Sequence, residues 1–273
     1  MLAEKIIERY GFDTGGDVPA DGGLAAVLGR ATQRRFRLDP VADVMLKALL
    51  ACAQSAPSKS DLQQYSIIVV QDSEMRRAIA ELCHAGRQID EAPEFLVFCA
   101  DMCRGQKIAE LRGHPHANNN MDTFLNAVVD TALAMQAFIQ SAESVGLGCC
   151  PISALRNPIG AISELLVLPP GVFPIAGLCL GWPAEPAAVS MRLPPSVVVH
   201  WDRYDDGNLG DEIDAYDQRR HERRPIPLSQ QRDIERHGEA AFYGWSENAA
   251  RQLSYPERAG FREFLKGHGF DLA

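Results

Sequence analysis

No stretch of this 273-residue chain approaches the about 20 consecutive apolar residues that cross a bilayer. The opening, Met1-Leu-Ala-Glu-Lys-Ile-Ile-Glu-Arg9, also lacks the apolar segment and small-residue cleavage site of an export signal, so a cytoplasmic protein without membrane attachment is expected. Basic charge is scarce as well. The 27 Lys and Arg are outnumbered by 36 Asp and Glu, giving a net charge of −9. That balance argues against a nucleic-acid partner, whose affinity comes from cations that release phosphate counterions. There is no Gly-x-Ser-x-Gly elbow and no glycine loop followed by Lys-Ser/Thr, which removes the signature residues of α/β-hydrolases and P-loop enzymes. Cys99-x-x-x-Cys103 and His114-x-His116 are fragments of metal-ligand spacing that nothing completes, and no metal site is expected. The seven cysteines are an odd number in apolar contexts, which suits reduced core thiols. Cys149-Cys150 would be strained as a disulfide and has no cation nearby in sequence to activate a thiolate. The carboxylate pairs Asp205-Asp206 and Asp211-Glu212 lie in polar, turn-rich sequence and read as solvated.

What the chain does have is 46% apolar residues at a length that can bury a full core without staples. Residues 1–23 begin with a short amphipathic stretch and pass through Gly11-Phe-Asp-Thr-Gly-Gly-Asp-Val-Pro-Ala-Asp-Gly-Gly23, which reads as an extension; residues 24–273 read as one domain. Helices are expected over Leu24–Leu28, Val41–Gln54, Glu74–Cys83 and Asp122–Val145. The last has so wide an apolar face that it should be buried at the centre of the fold or between two subunits. Continuous apolar runs predict strands at Ser66–Val70, Glu94–Ala100, Phe173–Gly181 and Ser196–His200, each covered on both faces. From about 203 to 256 the chain is polar and arginine-rich. It reads as an excursion with little core of its own, before a final helix over Glu257–Gly267.

Four segments bear groups suited to chemistry. Arg30-Ala-Thr-Gln-Arg34 puts two guanidinium forks and a hydroxyl within five residues, donors for a phosphate or an anionic ring edge; a solvated basic turn has the same composition. Ala56-Pro-Ser-Lys-Ser-Asp-Leu-Gln-Gln-Tyr65 offers hydroxyls, an amide and loop backbone to a polar heterocycle or ribityl chain, or is simply a connection rich in turn formers. Gly146-Leu-Gly-Cys-Cys-Pro-Ile-Ser-Ala154 ends a helix and permits close backbone approach. Arg192 stands alone between Pro-containing turns.

Taken in order, these pieces resemble the nitroreductase superfamily of flavin enzymes, in particular its oxygen-insensitive NADPH nitroreductase A and flavin reductase branch. The resemblance rests on Arg30-x-Thr-x-Arg34-x-Phe36, Pro57-Ser58 with Gln63, and Glu94-Phe-Leu-Val-Phe-Cys-Ala-Asp101. It continues through Val129-Asp-Thr-Ala132, Ala142-Glu-Ser-Val-Gly-Leu-Gly148, Leu155-Arg-Asn157, Gly177-Leu-Cys-Leu-Gly-Trp-Pro-Ala184 and Arg192-Leu-Pro194. It implies an α+β fold with a central mixed sheet flanked by helices and an extended C-terminal excursion. It also implies a homodimer with two FMN sites, each built from both chains. Carried over residue by residue, the FMN-binding set is Arg30, Ala31, Thr32, Arg34, Ser58, Ser60, Gly86, Ile152, Ser153, Ala154 and Arg192, and no acid-base catalytic residue is implied. The electron donor is NADPH or NADH, and the partner is a small-molecule electron acceptor.

The departures from the family pattern bear on substrate choice. Ser190 stands where the family has a phosphate-binding lysine, Gly86 where the branch has a ring-contacting glutamine whose place Arg87 or Gln88 could take, Asp61 where the Pro-Ser loop has asparagine, and Ser153-Ala154 where two glycines lie over the ring. These differences leave room for a superfamily relative acting as an FMN-dependent dehydrogenase, dehalogenase or oxygen-using enzyme, and more distantly for a non-enzymatic flavin-binding protein.

Overall fold

A computed structural model describes residues 2–14 and 22–272. Residues 15–21 of the expected extension lie outside the described residues. The elements begin with α1 (Leu2–Tyr10), α2 (Gly22–Leu28), α3 (Asp43–Gln54), β1 (Tyr65–Val69), α4 (Ser73–Leu82), α5 (Gly86–Asp90) and β2 (Glu94–Asp101). They continue with α6 (Cys103–Leu111), α7 (Met121–Ser144), β3 (Gly148–Ile152), α8 (Ile159–Leu165) and β4 (Val172–Gly181). The chain ends with α9 (Pro195–Val198), α10 (Leu209–Arg223), α11 (Ile234–His237), α12 (Trp245–Leu253) and α13 (Phe261–Gly267).

The residues cluster into two compact units, one of residues 32–188 and 258–273, the other of 1–31 and 189–257. The first holds the sheet, in the order β1-β2-β4-β3. All three pairings are antiparallel, where a mixed sheet was expected. An apolar run reports burial on both faces and says nothing of strand direction, so sequence could not supply this. Along β2 the side chains alternate between two cores. Phe95, Val97 and Cys99 join Ile79 and Ala80 of α4, Ile89 of α5 and Ile162 of α8. Leu96 and Phe98 join Leu46 and Leu49 of α3 and Phe138 and Ile139 of α7. This is the α+β arrangement of helices on both faces of a central sheet. The helices begin where the sequence supplies caps: Asp72 accepts a bond from the Met75 amide at 2.7 Å, and Asn120 from that of Thr123 at 3.0 Å. The final segment returns to this unit, where Phe173 packs against Phe124, Phe261 and Phe270 at ring separations of 5.2–5.8 Å.

Two local expectations change. Ser196–His200 is not a strand: α9 occupies Pro195–Val198. Pro195 at the first helical position pre-sets the backbone angle, and Val198 and Val199 are exposed, without the covered faces a central strand needs. Conversely, Gly148–Ile152 is a strand. It lies at the sheet edge, the position that tolerates Pro151. Helix α7 buries one face through Ala127, Asp130, Thr131, Ala134 and Phe138, while Leu125, Val129 and Leu133 stay exposed at helical spacing.

The second unit is built on polar contacts. Tyr216 is buried, donates to the Met191 carbonyl at 3.2 Å and meets Trp245 edge-on. Asp217 accepts from the backbone amide and hydroxyl of Ser246. Buried Arg251 pairs with Glu247 at 2.7 Å, donates to the Arg232 carbonyl and lies over the Tyr243 ring. Among the described residues no helix is long and apolar enough to cross a membrane.

Candidate functional site

The residues singled out from sequence fall in both units. In the sheet unit, Thr32–Arg34 is clamped by the residue between them. Gln33 is buried; its amide nitrogen donates to the Cys149 carbonyl of β3 at 3.0 Å and its side-chain NH2 to the Glu185 carbonyl at 2.7 Å. Its side-chain oxygen accepts from the amides of Arg34 and Arg35. Gly148 makes this possible, since a Cβ there would lie 2.6 Å from the Gln33 side chain. The segment is therefore fixed to the strand that ends in Ile152. Arg34 itself is exposed, free of the clamp that orients its backbone.

Past Ile152, which is buried, Ser153–Arg156 turns into a 3₁₀ helix; Ser153 is exposed and Ala154 packs on the core. Gly86 opens α5. Of its neighbours, Arg87 points away into an ion pair with Glu91 at 2.7 Å, whereas the Gln88 side chain reaches the Cys150 thiol at 4.0 Å. Gln88 is thus the one of the two directed toward β3.

The Ser58–Ser60 loop is anchored on α7 by Asp130. This carboxylate is 1% exposed and accepts from the Ser58 hydroxyl (2.8 Å), the Lys59 amide (3.0 Å) and the Gln64 amide (3.1 Å). The bonds hold a backbone in which Ser60, Asp61 and Gln63 all take left-handed angles, at φ of 51°, 58° and 50°. Ser60 is exposed at the turn. Asp130 and Gln33 were missed as positioning residues. A lone carboxylate in an apolar helix, at the site of Val129-Asp-Thr-Ala132, was the available signal for the first; nothing marked the second.

In the other unit, Arg30 and Arg192 are brought together around a third arginine that sequence reasoning had passed over. Arg9 of α1 bonds the carbonyls of Leu28, Arg30 and Ser190, and its own carbonyl accepts from the Arg192 amide at 2.8 Å. Burial, and then the charges of Arg192 and Arg30, hold the Arg9 guanidinium below its ordinary pKa. Three cations gathered in this way suit a phosphate, whose charge would relieve their repulsion; with the Arg9 fork donating to backbone carbonyls, Arg30 and Arg192 are the side chains fitted to donate to the phosphate of FMN. Ala31 follows Arg30 at the end of this unit and contributes backbone only.

The cysteines play no visible part. All seven are thiols. Cys149 and Cys150 point to opposite sheet faces, into different cores. Burial pushes the thiol of Cys83 up to about 11 and that of Cys99 to about 12, which suppresses the nucleophilic thiolate.

Comparison with known proteins identifies the family. The Nitroreductase family matches residues 27–182, and the C-terminal domain of the same family matches residues 190–273. An FMN reductase (NAD(P)H) of Bacillus subtilis is 36% identical over 246 residues, 88% of this chain and 94% of that protein. The oxygen-insensitive NADPH nitroreductase of Salmonella typhimurium is 40% identical over 182 residues, 66% of this chain and 74% of its own length. Among solved structures, the NADPH:FMN oxidoreductase from Vibrio harveyi complexed with NAD+ superposes with a TM-score of 0.77 at 31% identity, covering 91% of this chain and 98% of that one. B. megaterium NfrA2 does so at 0.83 and 30%, covering 93% and 100%. With both family segments matched in order, and similarity sustained along 94% of the Bacillus subtilis FMN reductase, the chain belongs to the nitroreductase family.

Proposed function

We propose that this protein is an NAD(P)H-dependent flavin oxidoreductase that uses FMN to pass two electrons to a small acceptor such as a nitroaromatic, a quinone or a free flavin. The observation that carries the reading is the convergence of Arg30 and Arg192 on Arg9. When bound, FMN would supply the two-electron redox chemistry that links oxidation of the nicotinamide to reduction of the acceptor, the two using the site in turn in a ping-pong cycle.

The chain's own residues bind and orient. Arg30 and Arg192 hold the phosphate. Thr32 and Arg34, kept in place by Gln33, would hold the N1/C2 carbonyl edge of the ring, where a fixed cation would stabilise negative charge. The backbone of Ile152, Ser153 and Ala154, where β3 passes into the 3₁₀ turn, would offer an N–H to the ring. Ser58 and Ser60 present hydroxyls from the loop that Asp130 shapes, and Gln88 takes the role that Gly86 leaves vacant. No residue is needed to shuttle a proton at the reacting atom, so catalysis rests on positioning and electrostatics. The exposed stripe of Leu125, Val129 and Leu133 on α7 supports a homodimer as the working form. The high-pKa thiols suit a reducing cytoplasm.

The purified protein should be yellow and should bleach when NADPH is added without oxygen. Arg34→Ala and Arg192→Ala should each lower FMN occupancy, since a charge-assisted contact is worth about 1.5–3 kcal/mol. A yellow protein that stays oxidised would favour a different superfamily chemistry. A colourless one that FMN cannot reconstitute would overturn the reading.

A further inference from the structure

Helix α1 lies ahead of residue 27, where the first family match begins, yet its last turn is tied into the arginine group. Arg9 is 7% exposed, and its guanidinium fork is spent on backbone. Nη1 donates to the Ser190 carbonyl, and Nη2 to the carbonyls of Leu28 and Arg30, each at 2.7 Å. The bond from the Arg192 amide to the Arg9 carbonyl closes the set. One side chain therefore staples the turn that carries Arg30 to the turn that carries Arg192. A second tie holds the helix, from the Arg223 guanidinium to the Glu8 carbonyl.

Burying a guanidinium beside two others is costly; the three carbonyl bonds offset part of that cost, and the repulsion from Arg192 and Arg30 remains. The arrangement is repaid if the charge itself is used. Ser190, the residue whose carbonyl Arg9 grips, stands where the family resemblance calls for a phosphate-binding lysine.

We infer that Arg9 is a positioning residue of the FMN-phosphate site: it locks the Leu28–Arg30 and Ser190–Arg192 backbones together so that Arg30 and Arg192 engage the phosphate as a pair, and it adds a fixed positive charge where Ser190 brings none. This inference rests on the FMN reading above. A device in a segment outside the family match thus compensates for a substitution inside it.

The test compares FMN with riboflavin, which has the same ring system and no phosphate. Full-length apoprotein, as wild type, Arg9→Met and Arg9→Lys, is titrated with each flavin by fluorescence quenching, with thermal melting as the control for folding. Arg9→Met should weaken FMN binding about tenfold or more, because Arg30 and Arg192 are no longer held as a pair and the fixed charge beside them is gone, and leave riboflavin binding unchanged. Arg9→Lys keeps the charge, but one ammonium cannot span three carbonyls, so it should lose FMN affinity severalfold while folding normally. Equal losses for both flavins would reduce Arg9 to a purely structural role and overturn the inference, as would full FMN affinity in Arg9→Lys. If Arg9→Met fails to fold, Arg9→Lys decides alone. A wild type that binds neither flavin, or binds both equally, would instead overturn the FMN-phosphate reading itself.

Discussion

The sheet unit and the unit formed by residues 1–31 and 189–257 are stabilised in different ways. The first buries whole apolar side chains, among them Phe95, Phe98, Phe138 and Phe173, on both faces of one sheet. The second has few such residues; its buried positions include Arg9, Asp217 and Arg251, each satisfied by directed bonds. An apolar core tolerates swaps that conserve volume, whereas a buried polar network fails when one partner is removed, because the group left behind loses its hydrogen bond. The residues assigned to flavin binding are divided the same way: Thr32, Arg34 and Ile152–Ala154 lie in the apolar sheet unit, and Arg30 and Arg192 in the polar one.

The largest effect should come from the sheet unit. Phe173→Ala removes a ring that contacts three others and should cost about 3–5 kcal/mol of stability in urea unfolding. Phe173→Leu should recover much of that loss; failure to do so would contradict the view that this core is governed by volume.

Asp130→Asn should cost about 1.5–3 kcal/mol, because the buried carboxylate serves three donors. It should also release the left-handed turn at Ser60–Gln63, visible as faster amide exchange in residues 58–64. Unchanged exchange would show that the turn holds itself.

Asp217→Asn tests the polar unit and should cost about 1.5 kcal/mol through its weakened bonds to Ser246, read as faster proteolysis within residues 203–256. Resistance equal to that of the wild type would place the unit's stability elsewhere.

The smallest effect concerns pH. Burial, reinforced by Asp43 and opposed by Arg76, raises the carboxyl pKa of Glu94 on β2. An acid whose folded pKa lies above its unfolded value favours folding while protonated, and that benefit is lost as pH rises through the folded pKa. Glu94→Gln should therefore match the wild type at low pH and become the more stable of the two above the carboxylate range, in paired melting curves. A wild type more stable at neutral pH would reverse the sign.

Legibility in the sequence followed the same division. β1, β2, β4, α3, α4 and α7 were readable because apolar runs and helical periodicity report burial directly. β3 was not, since Gly148 and Pro151 obscure a strand that only an edge position permits. Ser196–His200 was misread because three valines look like a strand until Pro195 starts a helix. Of the site, Arg30, Thr32, Arg34 and Arg192 stand out as motif residues, while Gln33, Asp130 and Arg9 are single polar residues whose partners are far away in the chain. Asp130 is 72 residues from Ser58, and Arg9 is 181 from Ser190.

The sequence by itself determined the α+β class, the kinship with nitroreductases and the identity of the cations offered to an anion, because these depend on residue type and local order. Only the tertiary structure decided that the sheet is antiparallel, that α7 keeps an apolar stripe exposed, and that Arg9 joins the turns of Arg30 and Arg192. Strand direction and hydrogen bonds across 19 to 181 residues are set by how the chain returns on itself, and local sequence does not encode that return.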